Sequence, residues 1–297
     1  MGRSGVDAMA RGLDHIVHAV RDLDTAAAAY ERFGFTVGAR NRHPWGTENR
    51  IVQFPGFFVE LLAVTEPDAI PPSGVRTPSF GAFNRDFLLY REGFSCLALE
   101  SHGAAADAEA FRAAGIGDFE VFRFERNAQK PDGTPARVGF SLAFATDPRP
   151  AQACFFACEQ HHPEAFWNSA FQMHRNGAVG IAGVVLAAEN PTDHHIFLSA
   201  FVGERELEAT SSGIVVRTPR GEIQVMDPAA YRIHFGIEPP PVSEGAVLAG
   251  IRLAAESKAR TRELLAAAEI KAIERMDRIV VPPELAHGAA IIFESAA

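Results

Sequence analysis

Cysteine is scarce in this 297-residue chain: Cys96, Cys154 and Cys158 are too few, and odd in number, for a disulfide framework. Basic charge is also short. Lys and Arg total 28 against 37 Asp and Glu, and a formal charge of −9 argues against nucleic acid or an anionic membrane surface as the main partner. No apolar run approaches the roughly 18 residues that a membrane-spanning helix needs. The opening MGRSGVDAMARG lacks the apolar core of a secretory signal, and Val6 stands where a myristoylation signal wants Ser or Thr. Tyr and Trp number three and two against 23 Phe, so the aromatic content suits sheet cores and apolar pockets rather than base stacking. No G-x-G-x-x-G, Walker A, G-x-S-x-G or H-E-x-x-H pattern is present, which removes the dinucleotide, P-loop, serine-hydrolase and zincin templates. The expectation left standing is a reduced, cytoplasmic protein that works on a small molecule. With 47% hydrophobic residues it can build the cores of about two domains.

What the chain does contain is a repeat. Four segments open with an apolar strand: GLDHIVHAV from Gly12, GFSCLALES from Gly93, GIAGVVLAAE from Gly180 and GAVLAGIRLAAE from Gly245. Each leads to a helical stretch, in turn TAAAAYERF, AAADAEAFRAAG, TDHHIFLSAF and KARTRELLAAAE. In the first helix Ala26, Ala29, Tyr30 and Phe33 share one face, with Asp24 as N-cap and Gly34 as the left-handed stop. Thr261, Leu264, Leu265 and Ala268 repeat that spacing in the fourth. β-rich runs follow the helices: FTVGAR, RIVQF and FFVELLAV in the first unit, FEVFRF, VGFSLAFA and ACFFACEQ in the second.

Each unit therefore reads βαβββ, an α+β pattern. One unit cannot bury its sheet alone, but two side by side curve into a half-barrel cup with helices outside and a cavity inside. Pro-rich joints near residues 70 and 240 divide the units within a pair, and residues 162–178 divide the pairs. That predicts two curved-sheet domains, 1–175 and 176–297.

The stretch LDHIVHAVRDLDTAAAAYERFGF resembles the opening signature of the vicinal oxygen chelate superfamily, which contains glyoxalase I, extradiol dioxygenases and bleomycin-resistance proteins. HPWGTENRIVQF, FFVELLAV, the Pro131-Asp132-Gly133 turn and the His174-x-Asn176-Gly177-Ala178 segment are similar to its glyoxalase-like domain group, over most of residues 13–190. The resemblance implies a divalent metal (Fe, Mn, Ni or Zn) that takes one ligand from each unit's first strand and one from its last. His15 and Glu60 match those positions in the first unit. On a period-2 reading Glu60 shares a face with Phe58 and Leu62, and a carboxylate there costs several kcal/mol to bury unless it meets a metal, an Arg or several donors. His15 falls on one face with Leu13 and Val17, where a plain core histidine is the other reading.

The second unit departs from the pattern. Cys96 stands at its first ligand position and reads either as core packing or as a thiolate ligand that favours zinc. Cys154, Phe155 and Phe156 surround the place of its second ligand. In the second pair Gly183, Gly250, Gln224 or Val225, and Ile292 occupy the corresponding positions. The two-His, one-Glu iron set of extradiol dioxygenases is therefore missing, and residues 176–297 read as a structural half.

For substrate contacts, Gly46, Thr47 and Asn49 precede a strand where Gly allows close backbone approach. Arg123 and Arg126 could direct one guanidinium into the cup, where a carboxylate or phosphate would pair with it. His161, His162 and His174 read as hydrogen-bonding groups at the domain joint. Two functions stay open: a metal-dependent isomerase or lyase on a small vicinally oxygenated substrate, with Glu60 moving the proton, and a metal-free binding protein of the bleomycin-resistance type. Either is compatible with a homodimer.

Overall fold

Alternating apolar strands and Ala-rich amphipathic helices recur along the whole computed structural model, which describes residues 10–129, 134–149 and 151–296. The Pro131-Asp132-Gly133 turn lies outside the described residues. β1 (Leu13–Ala19) and α1 (Leu23–Arg32) precede β2 (Asn41–Arg42), β3 (Thr47–Phe54) and β4 (Phe57–Val64). After α2 (Phe80–Tyr90) come β5 (Gly93–Glu100), α3 (Ala104–Ala113), β6 (Phe122–Gln129), β7 (Pro135–Ala145) and β8 (Cys154–Gln160). A short α4 (Pro163–Phe166) leads to β9 (Ala178–Ala187), α5 (His195–Val202), β10 (Glu208–Thr210), β11 (Gly213–Arg217), β12 (Glu222–Met226) and α6 (Pro228–Phe235). The last unit holds β13 (Val247–Ala255), α7 (Lys258–Ala267), β14 (Ile273–Arg275), β15 (Arg278–Val281) and β16 (Ala290–Ser295).

Two eight-stranded sheets result, ordered β2-β3-β4-β1-β5-β8-β7-β6 and β10-β11-β12-β9-β13-β16-β15-β14. The α+β architecture of four βαβββ units in two curved sheets is thus the one the repeat predicts. At the centre of each sheet the first strands of two units lie antiparallel, β1 beside β5 and β9 beside β13. Each of these also pairs in parallel with the last strand of its own unit. Among the described residues no helix is long and apolar enough to cross a membrane.

α1 buries Ala26 and Tyr30, as the spacing predicts, but its N-cap is Asp22 rather than Asp24. Asp22 has the extended backbone that a cap requires, and its carboxylate accepts from the amides of Asp24 and Thr25. Asp24, inside the helix, pairs with Arg40 and Arg50 instead. Gly34 ends the turn at φ +87°. A Cβ there would lie 2.8 Å from Leu264 and 3.0 Å from the Asn176 amide. Gly34→Ala is therefore expected to cost about 1–3 kcal/mol through backbone strain and overpacking, seen as a lower urea midpoint with an unchanged m-value.

Other expectations need correction. Residues 35–40, FTVGAR, form no strand, and only Asn41–Arg42 pairs at that edge. Phe35 is instead drawn into the core against Tyr30, Phe54 and Phe293. Two helices, α2 and α6, stand next to the Pro-rich joints, in segments that the βαβββ pattern does not assign. α2 starts on the Ser79 cap and carries Phe80 into the first cup. α6 starts on Asp227 with Pro228 in its first turn and stops at Gly236, φ +72°. It fills the second cup with Tyr231 and Phe235, and the Tyr231 hydroxyl donates to the Ala249 carbonyl at 3.0 Å.

The helix-side faces of both sheets share one apolar core, which includes Leu97 and Phe155 from the first sheet and Val184 and Ile251 from the second. Phe155 packs on Phe197 and Phe201 of α5 at 4.9 and 5.6 Å between ring centroids. The two cups hold separate clusters. Asn176 ties the halves together: its side chain donates to the Phe33 carbonyl at 2.9 Å, and its own carbonyl accepts from Thr261 of α7 at 2.7 Å.

Candidate active site in the first cup

A β-bulge sets the site. The β1–β5 register shifts between Leu13 and His15, which leaves Asp14 as the extra residue and breaks the strict alternation of faces. Leu13 consequently packs in the helix-side core with Ile16, while Val17 lies in the cup. This corrects the expectation that Leu13 shares a face with His15. Asp14 and His15 now lie together, the imidazole Nδ1 donating to the carboxylate at 2.6 Å. The other carboxylate oxygen of Asp14 accepts from Gln160 of β8 at 2.9 Å. His15 is fixed further by stacking on Phe58, with centroids 4.3 Å apart.

β4 keeps its alternation, so Glu60 enters the cup with Phe58 and Leu62, as expected. Its Oε1 accepts from the Asn49 side chain at 2.6 Å, and His43 Nε2 lies 3.8 Å away. Asn49 Oδ1 accepts from Asn41 at 3.1 Å, and Asn41 Oδ1 accepts from Arg126 at 3.0 Å. This chain of amides joins β2 to β6, the two edges of the sheet, and so marks the closure of the curl. Thr47 is buried and faces His43 Nδ1 at 2.8 Å, which leaves His43 Nε2 to accept from Asn49 at 3.3 Å. Burial lowers the His43 pKa; the Glu60 charge opposes the shift and Arg126 adds to it. Burial likewise lowers that of Arg126, with Glu60 opposing.

Together these groups line a cavity of about 50 Å³. His15, His43, Asn49, Glu60, Arg126 and Cys158 provide its polar lining, and Trp45, Phe58, Phe124, Phe140 and Phe156 stand among its aromatic walls. Among the described residues, Trp45 Nε1 and Arg126 Nε are buried without a hydrogen-bond partner. Among the described residues, Asp14, His15 and Cys158 are the one group of three metal-competent side chains whose donor atoms lie within 4.8 Å of one another. Glu60 is not a member of that group.

Sequence reasoning missed Asp14, His43 and Cys158. Only the bulge turns Asp14 inward, and only the neighbouring strand brings Cys158 across. Cys96 lies in the cup-side cluster without lining the cavity, its sulfur near Asn84 and Ser95 at 3.8 and 3.6 Å. Burial pushes both the Cys96 and Cys158 thiols up, and the carboxylates of Asp14, Glu60 and Glu159 push Cys158 further. Arg123 is exposed. His161 meets Ser141 at 2.7 Å, whereas His174 accepts from the Thr36 amide at 3.1 Å and donates to the Gln53 carbonyl at 2.9 Å.

Strand register locates the matching positions of the other units. Glu60 pairs with Val17, two residues beyond His15, and Phe156 pairs likewise with Ala98, two beyond Cys96. The second sheet has Gln224 opposite Val185 and Ile292 opposite Arg252. Its cup is occupied by a charge cluster in which Arg252 binds Glu294 through two nitrogens at 2.7 and 3.0 Å and also donates to Glu222 and Gln224. Gly183 makes room for it, since a Cβ there would lie 2.9 Å from the Glu222 carbonyl oxygen, 3.0 Å from its Cγ and 3.4 Å from Arg252 Nη1.

Paired βαβββ units curled around a cavity with acid, imidazole and thiol donors define a protein of the vicinal oxygen chelate fold. A family model described as a glyoxalase-like domain matches residues 13–202, and the chain belongs to that family. The structure is similar to that of a hypothetical protein from Staphylococcus aureus, with 13% identity, TM-score 0.67, and coverage of 96% of this chain and 100% of that one. It is also similar to a mutant of 4-hydroxymandelate synthase from Streptomyces coelicolor, with 10% identity, TM-score 0.57 and coverage of 98% and 95%. A fusion of a xylose isomerase-like TIM barrel with 4-hydroxyphenylpyruvate dioxygenase matches at 13% identity and TM-score 0.52, over 98% of this chain and 50% of the fusion. These likenesses speak to the fold alone. No curated protein sequence matches the chain.

Proposed function

We propose that this chain is a glyoxalase-like enzyme that acts on a small, oxygen-rich anion in the first cup by moving a proton next to a carbonyl, an isomerase or lyase chemistry. The observation that carries this reading is the pair of buried, unpartnered donors, Trp45 Nε1–H and Arg126 Nε–H, on residues that line the same cavity as the Glu60 carboxylate. An unpaired buried donor costs about 1–3 kcal/mol, which an oxygen-bearing ligand would recover. The Arg126 fork matches a carboxylate. Asn49 holds one oxygen of Glu60 and thereby orients the other as the base that takes the proton and returns it to a neighbouring atom.

The superfamily's metal fits the donors present, because a buried carboxylate, imidazole and thiol meet at Asp14, His15 and Cys158. A divalent ion held there supplies Lewis-acid polarisation of the carbonyl. The sequestering-protein alternative draws on one observation of its own. The second unit's matching positions, Cys96 and Phe156, add no oxygen or nitrogen donor to the cup.

The test follows exchange of carbon-bound hydrogen in deuterium oxide by NMR, over a panel of small 2-oxo and 2-hydroxy carboxylates. The wild type is expected to exchange at least one of them, Glu60→Gln to slow that exchange by about 10²–10⁴-fold, and Arg126→Met to raise the concentration needed for half-saturation. Binding of these anions without exchange or turnover would favour sequestration and overturn the enzyme reading.

A further inference from the structure

A pocket of about 460 Å³ lies beside the first cup, between α2 and the strands β7 and β8. Cys154 stands on its wall, half-buried, whereas Cys96 and Cys158 are buried. Beside Cys154 in the sheet is Cys96, its register partner on the parallel strand β5. Both side chains pack in the cup-side cluster, so they leave the sheet on the same face. The two thiols also interact: Cys154 adds to the effect of burial in pushing the Cys96 thiol up. Neighbouring strands run about 4.8 Å apart, within the roughly 4.4–6.8 Å that a disulfide accepts between Cα atoms. Cys158 pairs with Glu100, about 13 Å further along the strand, and is out of reach.

We infer that Cys96 and Cys154 are a modification site, at which a hydroperoxide admitted to the pocket makes a reversible disulfide. Cys154 reacts first, because susceptibility to oxidation follows access. The peroxide O–O bond breaks; one oxygen stays on Cys154 as a sulfenic acid, and the other leaves as water or an alcohol. The Cys96 sulfur then attacks the Cys154 sulfur, an S–S bond forms, and the hydroxyl departs with the Cys96 proton as water. The two thiols give up two electrons and two protons, and the peroxide takes up both. Side chains on parallel strands must lean together to bond. A bond closed under strain is easily reduced, which suits a switch rather than a staple. The switch bears on the first cup through α2. The Cys96 sulfur lies 3.8 Å from the Asn84 amide of α2, and Phe80 at the start of that helix lines the cavity. Bonding to Cys154 draws the sulfur away from Asn84 and loosens the helix. The site is independent of the chemistry proposed for the cavity.

The experiment treats the reduced full-length chain with a small excess of hydrogen peroxide, then counts free thiols and maps linked peptides by mass spectrometry under non-reducing conditions. The wild type is expected to fall from three free thiols to one, with Cys96 joined to Cys154 in a single chain, and to recover all three in dithiothreitol. Cys96→Ser should leave Cys154 as a sulfenic acid that dimedone captures, and Cys154→Ser should give neither adduct nor link. Cys158→Ser should keep the link. Cys96→Ala repeats the first variant should serine disturb this buried position, and the wild-type result needs no variant. Amide hydrogen exchange across α2 should be faster in the oxidised than in the reduced wild type. Three thiols retained, Cys154 carried on to sulfinic acid without a link, or a link through Cys158 or between two chains would overturn the site. Unchanged exchange in α2 would overturn its coupling to the cup.

Discussion

Arg252→Met is expected to destabilise the protein by about 3 kcal/mol, because it strips the central cation from a buried cluster and leaves Arg278 as the remaining close partner of Glu294. The Arg252 side chain is only 11% exposed, and it bridges Glu222 on β12 and Glu294 on β16, with β9 lying between β12 and β13. Burial alone would raise the pKa of Glu294, but Arg252 and Arg278 more than offset that and hold it below the usual carboxylate range. A methionine of similar length keeps the packing and removes the charge. Urea unfolding of the single variant should show the full loss. The triple variant Arg252→Met, Glu222→Gln, Glu294→Gln should regain much of it, since deleting both signs of a buried pair is far less costly than deleting one. A single variant as stable as the wild type would mean that the cluster does not organise this cup.

Mild acid is expected to weaken the fold by a comparable amount. Burial lowers the pKa of His18 and of His174 to about 4, with the carbonyls of His287 and Gln53 opposing the shift only in part. Against an ordinary value near 6.5, each shift corresponds to about 3 kcal/mol. The sign follows from proton counting. Between pH 6.5 and about 4 the unfolded chain binds protons on these histidines and the folded chain does not, so stability falls as the pH is lowered through that window.

Geometry explains why both stay neutral. His18 Nε2–H donates to the His287 carbonyl at 3.0 Å while Nδ1 accepts from the Tyr30 hydroxyl at 2.9 Å. In His174 the acceptor is Nδ1, facing the Thr36 amide, so protonation would break that bond. Unfolding free energies at pH 7 and 4.5 should differ by less in His18→Gln and His174→Gln than in the wild type. An unaltered pH slope in both variants would contradict the assignment. His18 reaches across to the loop before β16, so its protonation loosens the seam between the two halves.

Much of this fold is legible from local pattern. The strand openings at Gly12, Gly93, Gly180 and Gly245 lie at or within a few residues of β1, β5, β9 and β13, and the four Ala-rich or apolar stretches fall on α1, α3, α5 and α7. Such elements are set by short-range periodicity. α2 and α6 are not legible from the repeat, whose βαβββ unit has a single helix, although Asp227-Pro228 before an apolar run and Gly236 after it are ordinary start and stop signals. The Asp22 cap was displaced to Asp24 for a related reason: two acids in the same turn offer the same chemistry, and only the backbone angles choose between them.

By itself, the sequence determined the fourfold repeat, the α+β class, and that Glu60 shares a face with Phe58 and Leu62, because strand alternation is a local property of β4. It also placed His15, Asn49 and Arg126 among the candidates, and all three line the cavity. The tertiary structure alone decided which groups meet. A one-residue bulge reversed the parity of β1 and brought Asp14 beside His15. Pairing of β5 with β8 carried Cys158 from the far unit into their reach, and closure of the sheet edges joined Arg126 through Asn41 and Asn49 to Glu60. Periodicity assigns a residue to a face. Contact between residues far apart in the chain depends on register, bulges and curl, which are settled by the packing of the whole sheet.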